Sequence, residues 1–156
     1  MKFDALTDIL LKLENAFNDP GENLVRRIDA CIAEVAQLAD PASIGPLLSL
    51  LDDEAEYDEV MFSLIHAAEH FDDAVYVPAL LAALPGLQEH SPRWAQTLFM
   101  RVLNSEPARL EMVRALREAA PAVKAAALEL ADSINQQSPA FLAKTVVVMV
   151  AAQPAA

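Results

Sequence analysis

A chain of 156 residues, 54% of them apolar, can build one continuous core, and two domains would be a squeeze. Abundant Ala and Leu, three scattered glycines and few aromatic or β-branched residues before the last segment favour helix over sheet and exclude a glycine-rich phosphate loop. A net charge of -12 repels phosphate backbones and steers basic proteins inward, which excludes nucleic acid as a partner class.

The charge is unevenly placed. Between Ile28 and Pro92 there is no Lys or Arg, and that stretch holds thirteen acids. Residues 1–27 carry four bases against five acids, and residues 93–156 seven against five. Met1-Lys2-Phe3-Asp4-Ala5-Leu6-Thr7-Asp8 carries acids where an export signal needs a basic flank and an apolar run, so no leader is read. The longest apolar run, Val146 to Ala152, falls short of the roughly 20 residues that span a bilayer. Cys31 is the single cysteine, which rules out an internal disulfide and suits a reducing compartment. The expectation is a soluble cytoplasmic protein with no membrane partner.

In chain order, Phe3, Leu6, Leu10, Leu13 and Phe17 recur at helical spacing up to a break at Asp19-Pro20-Gly21. Leu24, Ile28, Cys31, Val35 and Leu38 make a second helix in which Cys31 is a small core residue. Asp40-Pro41, Ser91-Pro92 and Ser138-Pro139 each set a capping side chain before a proline, a favoured helix start because proline's missing donor would be unpaired there. Further helices are read at about 41–52, 57–71, 74–84, 91–104, 106–119, 121–136 and 138–152. Pro46-Leu47-Leu48-Ser49-Leu50-Leu51 is echoed by Pro78 to Leu84, and each is followed by a longer amphipathic helix. Those longer helices align with Val60, Ser63 and Leu64 on Trp94, Thr97 and Leu98; a third pair has the right lengths without the proline. The fold class is all-α: about nine helices in antiparallel pairs stacked as a short HEAT-like solenoid, against the alternative of an irregular bundle. One domain covers 1–156, with an N-terminal pair at 1–39, repeat-like pairs at 40–137 and an apolar helix at 138–152. That last helix, with Phe141, Leu142 and the run Val146 to Val150, must be buried on most sides or meet a second copy, which leaves a homodimer open.

Asp52-Asp53-Glu54-Ala55-Glu56-Tyr57-Asp58-Glu59 packs six carboxylates into a loop and a helix start. One or two acids there complement the helix dipole; the surplus repels itself and suggests either a solvated loop or a recognition surface for a basic protein. His66-Ala67-Ala68-Glu69-His70 matches the H-x-x-E-H pattern in which two histidines hold zinc and a glutamate activates water. A third ligand is needed, and Asp73 or Glu59 would crowd the same side, so two histidines on a partly exposed helix face is the simpler reading. No serine sits in a nucleophile elbow, Cys31 lacks a base, and no basic patch interleaves with aromatics. No catalytic residue, metal or cofactor is expected. Trp94 is either core or an exposed anchor.

Glu56-Tyr57-Asp58-Glu59-Val60-Met61-Phe62-Ser63-Leu64-Ile65-His66, followed by Tyr76 to Leu84 and by Trp94-Ala95-Gln96-Thr97-Leu98, resembles the small helical immunity proteins of bacterial polymorphic toxin and contact-dependent inhibition systems, in particular the immunity protein 30 group. The resemblance covers about residues 40–110. It implies a cytoplasmic antitoxin that binds a cognate toxin domain, expected to be a basic nuclease, and no catalytic residue carries over. The site residues expected from charge and exposure are Asp52, Asp53, Glu54, Glu56, Tyr57, Asp58 and Glu59 with Glu69, Asp72 and Asp73, flanked by His66, His70 and Arg93. The rival readings are a HEAT-type adaptor for another basic protein and a zinc-dependent hydrolase at His66, Glu69 and His70.

Overall fold

The computed structural model describes residues 2–19 and 21–154, without the side chains of 2–4, so Met1, Pro20 and the side chain of Phe3 lie outside the described residues. Every regular element among the described residues is helical. These are α1 (Lys2–Asn18), α2 (Leu24–Leu38), α3 (Ile44–Ser49), α4 (Asp58–Glu69), α5 (Asp73–His90), α6 (Pro92–Leu103), α7 (Glu106–Arg117), α8 (Pro121–Gln137) and α9 (Leu142–Ala151). Single 3-10 turns at Pro41–Ser43 and Pro139–Phe141 lead into α3 and α9. α3, α5, α7 and α9 form one row in which each touches the next, and the intervening helices form a second layer in which α2 packs on α4 and α6 on α8. This is the two-layer stacking of a helical solenoid.

The repeat is clearest in what is buried. Val60, Met61, Leu64, Ile65 and Ala68 of α4 correspond to Trp94, Ala95, Leu98, Phe99 and Val102 of α6, as the alignment of Val60 with Trp94 anticipates. Ala126, Ala127, Leu130, Ala131 and Ile134 of α8 repeat the same spacing, so the third pair belongs to the array although it lacks the proline. Among the first helices, Ile44, Leu47, Leu48 and Leu51 correspond to Val77, Leu80, Leu81 and Leu84. That register is one residue away from the echo of Pro46 in Pro78, because both prolines are exposed and burial, not proline, fixes the pairing.

Two local expectations are corrected. The helix read as ending near residue 84 runs through Pro85 and Gly86 to His90. Proline there removes one helical donor, but Leu84 and Leu87 on either side of it are both buried, and that packing outweighs the local penalty. Of the three capping residues, only Asp40 caps, accepting from the Ala42 amide at 3.0 Å. Ser138 makes no capping bond, and Ser91 instead donates to the Leu51 carbonyl at 2.6 Å. Cys31 is half-buried beside the core, with its thiol pKa raised by burial and by Glu34 against the opposing pull of Lys12.

Candidate functional site

The acidic loop between α3 and α4 is tied to the start of α6 by its own backbone and by two of its carboxylates. The Asp53 carboxylate accepts from the backbone amides of Arg93 at 2.9 Å and Trp94 at 3.1 Å. It therefore caps α6 in place of Ser91, satisfying donors that a helix start leaves open. The Trp94 indole donates to the Asp52 carbonyl at 3.0 Å, and Ser91 holds the Leu51 carbonyl one residue earlier. The Arg93 guanidinium reaches Asp58 at 3.3 Å and lies over the Trp94 ring at 5.2 Å. Within the loop, Asp52 accepts from the Glu54 amide at 2.9 Å in an Asx turn, and its own amide points to the Met61 sulfur at 3.3 Å.

The six carboxylates thus divide. Asp52, Asp53 and Asp58 hold the loop in shape, while Glu54, Glu56 and Glu59 are exposed, and their carboxylate oxygens make no hydrogen bond or ion pair among the described residues. Tyr57 stands between them, 43% exposed. Beneath this rim lies a cleft of about 500 Å³ that reaches the N-terminal helix pair and is lined by Glu14 and Phe17 of α1, Leu24 of α2, and Glu54, Glu56, Tyr57 and Met61. Sequence reasoning missed Glu14, Phe17 and Leu24 as site residues, since only the fold brings α1 and α2 against the loop.

The other expected site residues stand elsewhere. Twelve-residue α4 spans about 18 Å, so Glu69, Asp72 and Asp73 lie at the far end from the loop. There Glu69 accepts two bonds from Arg101, at 2.8 and 2.6 Å, and the bond to Glu69 raises the Arg101 pKa. Next to this pair, in a cleft of about 430 Å³, Tyr76 is 3% exposed and its hydroxyl has no hydrogen-bond partner among the described residues. His66 and His70 are exposed on α4 between and beyond these groups, with His66 6.3 Å from the Phe62 ring. Arg93 alone of the flanking residues joins the loop.

A family model described as immunity protein 30 matches residues 17–112, more than half of the chain. The chain belongs to the immunity protein 30 family. Neither the search of curated proteins nor that of solved structures found a match. The matched span of this immunity protein contains the whole loop, α4 and α6, and leaves Glu14 and α9 outside. No helix of the described residues is long and apolar enough to cross a membrane.

Three further features of the sequence have a definite place in the structure. Trp94 is 3% exposed and packs edge-on against Phe62 at 5.2 Å, so it is core and holds α4 against α6. In the H-x-x-E-H segment of this immunity protein Glu69 is engaged by Arg101, and among the described residues no group of three or more His, Cys, Asp or Glu side chains is placed to hold a metal. α9 buries Thr145, Val148 and Ala151 and leaves Leu142, Val146, Val147 and Val150 exposed, Val150 at 70%, so it is not buried on most sides.

Proposed function

We propose that this immunity protein neutralises a basic toxin domain by binding it through the outward carboxylates of the acidic loop, Glu54, Glu56 and Glu59, with Tyr57 as the apolar anchor. One observation carries the reading: three carboxylates and a tyrosine hydroxyl without partners among the described residues stand on a backbone already held by Ser91, Trp94 and the Asp53 cap. A surface fixed before binding loses little conformational freedom on association, so more of the contact energy appears as affinity. The absence of Lys and Arg from Ile28 to Pro92 leaves the face predominantly negative, with Arg93 and Arg26 at its edges, which speeds encounter with a basic partner and disfavours acidic ones. Asp52, Asp53 and Asp58 act indirectly, by shaping the loop, and Arg93 acts with them. His66 lies further along α4 from the contact, and Asp72 and Asp73, beyond His70, extend the negative field at the far end, where Glu69 is already paired with Arg101.

The adaptor reading has the same surface but no family match behind it. The test is co-expression with the cognate toxin domain, sought among the genes neighbouring this one. The parent chain should restore growth, and Glu54→Lys/Glu56→Lys/Glu59→Lys should not, while its circular dichroism stays helical. Undiminished protection by the triple variant would move the site off the loop. Binding of an unrelated basic protein with no protection would favour the adaptor.

A further inference from the structure

The cleft under the loop differs from the rest of the acidic face in having a floor. Phe17, Leu24 and Met61 make an apolar base, and the carboxylates of Glu14, Glu54 and Glu56 stand around it without bonds to any described residue. Among the described residues no Lys or Arg lines it. Arg26 lies on a neighbouring depression with Glu56 and Tyr57 and forms no ion pair among the described residues. The volume, about 500 Å³, falls in the range of roughly 300–1,000 Å³ typical of ligand-sized sites. The cleft also continues: a second one of about 430 Å³, between α3 and α5, shares Ser49, Leu51, His90 and Ser91 with it. Its walls at Gly45, Ala79, Ala82, Ala83 and Gly86 carry almost no side-chain bulk, and a methyl group added at either glycine would meet nothing within 4 Å.

We propose that this groove seats a Lys- or Arg-bearing segment of the toxin, with the cation among Glu14, Glu54 and Glu56, the aliphatic stem on Phe17, Leu24 and Met61, and the flanking backbone over the shallow wall of α5. The inference rests on the immunity reading and narrows it from a charged face to one socket. A long cationic side chain is the occupant that fits both halves of the cleft, since its methylenes need an apolar surface and its head an acidic rim. An uncharged apolar segment would leave the carboxylates stranded beside it, and a lone cation would leave the floor uncovered.

Glu14 separates the socket from the loop's outer face, because it sits on α1, is exposed, and belongs to no bond that holds the fold. Affinity for the toxin domain that the parent chain neutralises in co-expression should fall at least about tenfold in Glu14→Lys, since a like charge would then face the seated cation. Glu129→Lys on α8 makes the same charge change far from the groove and should leave affinity within about twofold. In parallel, N-acetyl-arginine methylamide titrated into the nitrogen-15-labelled chain should shift amides around Glu14, Glu54, Glu56 and Met61, and the neutral citrulline analogue should not. Equal losses in the two charge variants would reduce the effect to net charge and overturn the socket. Unchanged binding by Glu14→Lys, with the loop variants still defective, would overturn it while the immunity reading stands. A parent chain that fails to bind the toxin would remove that reading and the socket with it.

Discussion

The two ends of α4 carry the same kinds of residue and use them in opposite ways. At the C-terminal end Glu69 is matched by Arg101, and the phenol of Tyr76 is shut in beside them. At the N-terminal end the backbone is held by Ser91, Trp94 and Asp53, and three glutamates are left facing water with nothing of their own to bind. A charge paired within the chain contributes to holding two helices together; a charge held out by a rigid loop is available to another molecule. Counting acids along the sequence cannot distinguish these cases, and removing single groups can.

The largest effect is expected at Trp94, which serves both halves of the comparison by packing α6 on Phe62 and by donating to the loop at Asp52. Trp94→Ala should cost about 3–5 kcal/mol, the range for emptying a large buried aromatic site, and should lose toxin binding with it. Urea denaturation followed by far-UV circular dichroism reads the first, and calorimetric titration the second. Stability within 1 kcal/mol of the parent, on the order of an exposed-site change, would mean that the indole is not the strut described here.

Asp53→Ala divides shape from charge. It should lower stability by about 1–2 kcal/mol, as loss of a helix cap does, and weaken binding because the loop is loosened. Glu56→Ala removes the same charge from an exposed position and should leave the denaturation midpoint in place while weakening binding. Equal stability of the two variants would erase the division between shaping and presenting carboxylates.

Much of the fold was legible because a solenoid repeats its buried face: Val60 and Trp94 fall in register from the sequence alone, and α6 to α9 begin within a few residues of where proline and periodicity place them. The overrun of α5 was not, because Pro85 is a local stop signal and the packing of Leu84 and Leu87 that overrides it is tertiary. The acidic loop was legible as a cluster, since six carboxylates in eight residues need no structure to be noticed. Its division was not legible. Asp53 differs from Glu54 only in facing two amides at the head of α6, donors that lie far away in sequence and carry no side-chain signature. Glu14 is equally silent, one acid among the polar positions of α1 until the fold sets it across from Glu54 and Glu56.

The smallest effect belongs to the paired end, and its sign depends on pH. Burial first, and then the negative charge of Glu69, raise the pKa of Tyr76 above the ordinary tyrosine value, with Arg101 pulling the other way. Below about pH 10 the phenol is protonated in both folded and unfolded chains, and its titration contributes no pH dependence. Above that pH the unfolded chain releases the proton while the folded chain keeps it. The folded state then binds more protons, and stability falls as pH rises, by up to about 1.4 kcal/mol per pH unit. Tyr76→Phe deletes this proton along with the unpartnered hydroxyl, whose burial already costs something at neutral pH. The variant should therefore match or exceed the parent by up to about 1 kcal/mol at pH 7 and lead by more at pH 11, since an ionising phenol penalises only the parent. A loss of more than about 1 kcal/mol at pH 7 would show that the hydroxyl makes a bond in solution. A lead that fails to grow with pH would show that Glu69 and Arg101 leave Tyr76 free to ionise, and that the far end of α4 is wetter than its burial implies.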